Sequence, residues 1–164
     1  MILYIVRHAI AETLRPGITD GERKLTEEGI KKMKEVAAGL RTVDAVPEVI
    51  LSSPLVRARQ TADILMEAFD RKPELKMLAA LAPPGDRPEL YREIRKHEKA
   101  DGVMIVGHEP LLGAIAAEVL SGSLDCRLTF KKGGACAIGI ARMSPVPGGS
   151  LQWLMPPSIL RRLS

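Results

Sequence analysis

Aromatic residues are scarce in this chain. Two Phe, two Tyr and one Trp make up 3% of its 164 residues, so the core has to be aliphatic. No basic stripe is interleaved with stacking aromatics and no dense Lys/Arg run occurs, which argues against nucleic acid as a partner. Cysteine is nearly as rare. Cys126 and Cys136 form no CxxC pair and have no neighbouring His, so a zinc site is not expected and no metal is called for. Reduced thiols in a reducing cytoplasm are the simplest reading. Long hydrophobic runs are absent too. The longest apolar stretch, Leu111 to Ala117, is far too short to span a bilayer, and no basic segment leads into an apolar one at the start. The expected location is the cytoplasm, with no membrane partner. No GxxxxGK[ST] occurs, which removes P-loop kinases and nucleotidases.

What is present is ordinary bulk with an unusual punctuation. Hydrophobic residues are 46%, charged residues 27%, and the net charge is +4, a mild bias toward anionic ligands. One domain over residues 1–164 is expected from the length and from the lack of linkers or repeats. Ile2 to Val6 reads as a buried central strand, because it is apolar without alternation. Residues 11–24 read as a loop. Thr26 caps a helix whose apolar face is Ile30, Met33, Val36, Ala37 and Leu40. Glu48 to Leu51 is a short strand. Ser53-Pro54 suits a helix start, with Ala58, Ala62, Leu65 and Phe69 facing inward.

Leu75 to Leu78 is a third strand, followed by a Pro83-Pro84-Gly85 turn. Asp86 and Glu89 open a helix that carries Leu90, Ile94 and His97. Val103 to Val106 is a fourth strand, and Pro110 starts a helix to about Leu120. Cys136 to Ile140 and Leu151 to Leu154 pair around the Pro145–Gly149 turn. Alternating strands and helices predict an α/β fold with a mostly parallel central sheet of about six strands and helices on both faces.

Ligands in such sheets sit beyond the carboxyl ends of the strands. Three strand ends carry unusual residues. The first delivers Arg7-His8. The second delivers Ser52-Ser53 and a helix bearing Arg57 and Arg59. The fourth delivers Gly107-His108. Each feature alone is weak, but two Arg and two His on one edge make a site for a tetrahedral anion. Guanidinium donors match phosphate oxygens, and helix starts near Ser53 and Glu109 add free N–H groups.

The stretches IVRHA, SSPLVRARQTA and IVGHEP, in this order, resemble the histidine phosphatase superfamily. The short chain, RKLTEEG opening the first helix and LAPPGD after the third strand are similar to its SixA-like phosphohistidine phosphatases. The resemblance covers nearly the whole chain and implies a phosphoglycerate mutase-like fold. It implies His8 as nucleophile, Arg7 and Arg57 as phosphate ligands and His108 as a donor to the phosphoryl oxygens, with Ser53 beside them. It favours Arg57 over Arg59. Ala9 stands where the superfamily commonly has Gly.

The expected chemistry is in-line attack by neutral His8, then hydrolysis of the phosphohistidine intermediate, with no cofactor. One His8 nitrogen should be held protonated by a backbone carbonyl, and Arg7 and Arg57 should keep the ring neutral. His108 would serve best as a cation. The general acid is open. The superfamily commonly places a carboxylate after the third strand, where this chain reads Ala79-Ala80-Leu81. Asp86, Glu12, Asp20 and Glu109 are the candidates. A phosphohistidine expels imidazole, whose conjugate acid has a pKa of roughly 6.5, and needs little protonation. That favours a phosphohistidine-bearing protein, in a phosphorelay or a carrier system, as substrate. The alternatives are a small phosphorylated metabolite and a non-catalytic module that binds phosphorylated ligands.

Overall fold

The computed structural model describes residues 1–126 and 128–164. Six strands form one sheet: β1 (Ile2–Arg7), β2 (Val49–Ser52), β3 (Glu74–Met77), β4 (Gly102–Gly107), β5 (Ala135–Arg142) and β6 (Gly148–Met155). Their order is β3-β2-β4-β1-β5-β6. The first four strands are mutually parallel, whereas β5 and β6 run antiparallel at one side. The predicted six-stranded, mostly parallel sheet is therefore the observed one.

β1 lies inside the sheet between β4 and β5, which explains its unbroken hydrophobicity. Its side chains alternate between two cores. Tyr4 and Val6 face one core with Met33, Val36 and Leu40 of α1 (Glu27–Thr42) and Ala58, Ala62 and Leu65 of α2 (Val56–Ala68). Leu3 and Ile5 face the other with Leu90 and Ile94 of α3 (Arg87–Arg95) and Leu112, Ile115 and Ala116 of α4 (Leu111–Ser121). Helices thus cover both faces. Thr26 and Asp86 cap α1 and α3 as expected, accepting from Gly29 N and Glu89 N.

Several local expectations are corrected. The second helix starts at Val56, not at Ser53-Pro54, and Leu55 precedes it without a side-chain cap. The Ser53 hydroxyl is used in the site instead. Pro110 flanks α4 rather than opening it, and His97 lies beyond the last residue of α3. The 11–24 loop has structure of its own. Ala11 bridges Leu25, and a 3-10 turn at Asp20–Glu22 is closed by the Glu22 carboxylate, which accepts from Thr19 N at 2.8 Å.

Another 3-10 turn covers Ala79–Leu81. The end of the chain is not simply a solvated tail. Pro157–Leu160 forms α5, Leu160 is fully buried, and Arg161 pairs with Glu35 at 2.5 Å. Gly39 permits this docking, because a Cβ there would meet the Leu160 carbonyl at 1.9 Å.

Candidate active site

The carboxyl ends of β1, β2 and β4 bring His8, Ser53, Arg57 and His108 together, and all four are buried. Backbone hydrogen bonds pin His8 on two sides. Its N–H donates to Gly107 O (3.1 Å), while Gly133 N donates to the carbonyls of Arg7 (3.1 Å) and His8 (3.2 Å). Gly133 makes that turn with φ +78°, a conformation glycine adopts without strain.

The ring of His8 is held in one tautomer. Nδ1 lies 2.7 Å from Ala9 O. A carbonyl only accepts, so Nδ1 carries the proton and Nε2 presents its lone pair. Arg57 Nε–H faces that lone pair at 3.3 Å. Burial above all pushes the His8 pKa down to about 3, against its hydrogen bond to Ala9, and the charges of His108, Arg57 and Arg7 push the same way. The ring is neutral over the ordinary pH range, with the Nε2 lone pair available. The expected backbone acceptor is thus the Ala9 carbonyl. Ala9 is itself buried, and its N–H donates to Thr61 Oγ1 (3.1 Å), which in turn donates to Arg57 O (2.7 Å).

Each arginine is tied at its far end. Arg7 Nη1 donates to Phe130 O at 2.6 Å, and its buried Nε has no partner among the described residues. Burial lowers the Arg7 pKa, and Glu109 opposes this. Arg57 Nη1 donates to Asp20 O (2.6 Å) and Nη2 to Asp20 Oδ2 (2.9 Å). Arg59 is exposed, so Arg57 is the arginine in the site.

His108 departs from expectation. Its ring centroid lies 5.0 Å from that of His8. Burial first, then Arg57 and Arg7, lower its pKa to about 4, only partly opposed by Asp20. At ordinary pH it is neutral, where a cation was expected. Ser53 Oγ accepts from Leu55 N (3.3 Å) and lies 2.8 Å from His108 Nε2. With the hydroxyl as donor to Nε2, the ring proton is on Nδ1, which is buried without a partner among the described residues. An unsatisfied buried N–H is costly. Those of Arg7 Nε and His108 Nδ1 are donors that a bound phosphoryl group would satisfy. Ser53, expected among the substrate-binding residues, contacts His108.

The carboxylates are placed elsewhere. Asp86 caps α3. Glu12 accepts from Lys24 N at 3.1 Å and pairs with Arg15. Glu109 joins Phe130 N (2.5 Å) to Gly113 N (3.2 Å). Asp20 alone touches the cluster, and its hydrogen bonds to Arg23 and Arg57 hold its carboxyl below the usual range.

Sequence reading missed Thr61, Phe130 and the part Asp20 plays. Thr61 had a signal: it is a polar residue four positions after Arg57, inside a helix face of Ala58, Ala62 and Leu65. Phe130 had none, because it contributes a backbone carbonyl from a segment distant in sequence.

The comparisons with known proteins agree with this geometry. The family model described as histidine phosphatase superfamily (branch 1) matches residues 3–81. A phosphohistidine phosphatase SixA homolog of Haemophilus influenzae is 32% identical over 130 residues, covering 73% of this chain and 77% of that one. The phosphohistidine phosphatase SixA of Escherichia coli is 26% identical over 163 residues, covering 98% and 97%. A solved structure of the protein histidine phosphatase SixA complexed with tungstate superimposes with a TM-score of 0.85 at 25% identity, covering 98% and 99%.

Two histidines and two anchored arginines gather at the carboxyl edge of a parallel sheet, and the chain belongs to the histidine phosphatase superfamily. Within it, the chain is a phosphatase homologous to SixA.

Proposed function

We propose that the protein removes phosphate from phosphohistidine on another protein. His8 Nε2 attacks phosphorus in line, and the P–N bond to the substrate imidazole breaks. The leaving imidazole takes a proton from solvent. Water then attacks phosphorus, the bond to His8 breaks, and phosphate leaves. Throughout, Nδ1–H stays on the Ala9 carbonyl. Arg7, Arg57 and the free N–H of His108 receive the charge on the phosphoryl oxygens. Preorganised donors of this kind contribute roughly 3–4 kcal/mol each to transition-state stabilisation. With charge stabilisation supplied by these side chains, the scheme uses no metal, and EDTA should leave turnover unchanged.

The observation that carries the substrate assignment is the state of the carboxylates. Asp86, Glu12 and Glu109 are engaged in structural hydrogen bonds, and Asp20 is an ionised partner of two arginines. An alkoxide leaving group benefits from a positioned acid, whereas imidazole leaves with little help. The phosphoprotein would belong to a phosphorelay or carrier system. The free thiols Cys126 and Cys136 suit a reducing cytoplasm as the place of action.

The deciding experiment compares phosphate release from a phosphohistidine protein and from a small phosphomonoester. Faster release from the phosphohistidine protein is expected, with an acid-labile, alkali-stable phosphoenzyme trapped on His8. Preference for the phosphomonoester, or turnover without a phosphoenzyme, would refute the assignment.

A further inference from the structure

Arg57 is the one site residue whose two terminal nitrogens are both held by a single partner. Asp20 accepts from Nη1 through its backbone carbonyl at 2.6 Å and from Nη2 through Oδ2 at 2.9 Å. A guanidinium has five N–H donors in a fixed plane. Two are spent on Asp20, both at the end of the group. The Nε–H points off the side edge, away from that end, and faces His8 Nε2 at 3.3 Å. A phosphoryl group arriving at His8 Nε2 therefore meets the side edge of Arg57, not the end that Asp20 holds.

We propose that Asp20 is a positioning residue: it grips the end of the Arg57 guanidinium so that the Nε edge is presented to the phosphoryl group at His8. This rests on the reading of Arg57 as a phosphoryl ligand. An unanchored arginine would lose rotamer freedom only on binding, and Asp20 removes that cost beforehand.

An anion next to a phosphate site would ordinarily repel the ligand. Here the Asp20 side chain is 53% exposed, and its other oxygen is paired with Arg23 Nη1 at 2.8 Å. Water and a second cation screen it, and the Arg23–Asp20–Arg57 group keeps a net positive charge. The turn that carries Asp20 is built to stay in place. The Glu22 carboxylate closes it on Thr19, and Arg23 Nε ties it to Glu12 O at 2.7 Å. The same logic is visible at Arg7, where the Phe130 carbonyl holds Nη1 and leaves Nε free.

The test is calorimetric binding of inorganic phosphate to the full chain and to Asp20→Ala, Asp20→Asn, Arg57→Ala and the Asp20→Ala/Arg57→Ala double variant, with Tm measured for each. Asp20→Ala is expected to weaken phosphate about tenfold, the scale of one charge-assisted hydrogen bond, at nearly unchanged Tm. Asp20→Asn keeps an oxygen acceptor and should recover most of that loss. In the Arg57→Ala background, Asp20→Ala should change binding by less than about twofold, because coupled residues are non-additive.

Tighter phosphate binding by Asp20→Ala would make Asp20 a competitor and overturn the proposal. So would an effect that persists without Arg57. If Arg57→Ala itself binds phosphate normally, Arg57 is no phosphoryl ligand and the proposal falls with that reading. A weakened Arg57→Ala beside an unchanged Asp20→Ala refutes the positioning role alone.

Discussion

The two ends of the central sheet differ in how they hold their charged side chains. At the amino ends of β2 and β4 lies an open cavity of about 770 Å³, bordered by Arg41, Asp44, Glu48, Asp70, Arg71 and Asp101. Its charges are solvent-facing, and Arg41 pairs with Asp70 at half to full exposure. At the carboxyl ends, His8, Ser52, Ser53, Arg57, Thr61 and His108 are all buried. Two buried nitrogens at that end, Arg7 Nε and His108 Nδ1, have no partner among the described residues. Exposed charges are satisfied by water and by one another, so they store nothing for a ligand. Buried donors held open are preorganised for one. Buried charged and polar side chains gathered in one place distinguish the end that holds the candidate site.

Substitutions at the two ends should separate accordingly. The largest effect is expected at His8. His8→Ala should lower phosphate release by on the order of ten-thousandfold or more and abolish phosphoenzyme formation in a folded protein. Retained turnover would erase the distinction between the two ends.

Next comes His108→Ala, expected to lower turnover by about 10²- to 10³-fold through loss of one preorganised donor, read in single-turnover assays. Ser53→Ala should follow in the same direction with a smaller loss, since it acts through His108.

The third test is pH. The unfolded chain takes up protons near the ordinary histidine range, whereas folded His8 and His108 refuse them until about pH 3 and 4. The unfolded state therefore binds more protons between those values and about 6.5, and stability must fall as pH drops through that window. Urea midpoints measured from pH 7 to pH 4 should show this. His8→Asn should flatten the slope.

The smallest effect is expected at the opposite end. Arg71→Ala, in the large cavity, should change stability by less than about 0.5 kcal/mol and leave phosphate release within about twofold. A large loss there would mean that the cavity communicates with the site.

The strand ends were readable in the chain because each catalytic candidate sits directly after a hydrophobic run: Arg7-His8 after Ile2 to Val6, and His108 after Val103 to Val106. Helix faces were readable from apolar spacing. What failed was local inference about polar residues with more than one possible use. Ser53 looked like a helix cap, but its hydroxyl is drawn to His108. Glu109 looked like an acid or a dipole partner, but it anchors Phe130 and Gly113. Arg161 gave no local sign of being anchored, but Glu35 and the buried Leu160 hold its segment down.

By itself, then, the amino-acid sequence determined the α/β alternation, the buried central strand and the identity of the His and Arg residues at the sheet's edge. These follow from side-chain periodicity and strand placement, which are local properties of the chain. Only the tertiary structure decided the tautomer of His8, the neutrality of His108 and which partner holds each arginine. Hydrogen-bond partners 37, 49, 55 and 123 residues apart meet only after the sheet assembles. The pKa shifts arise from burial and neighbouring charge, and neither exists until the chain is folded.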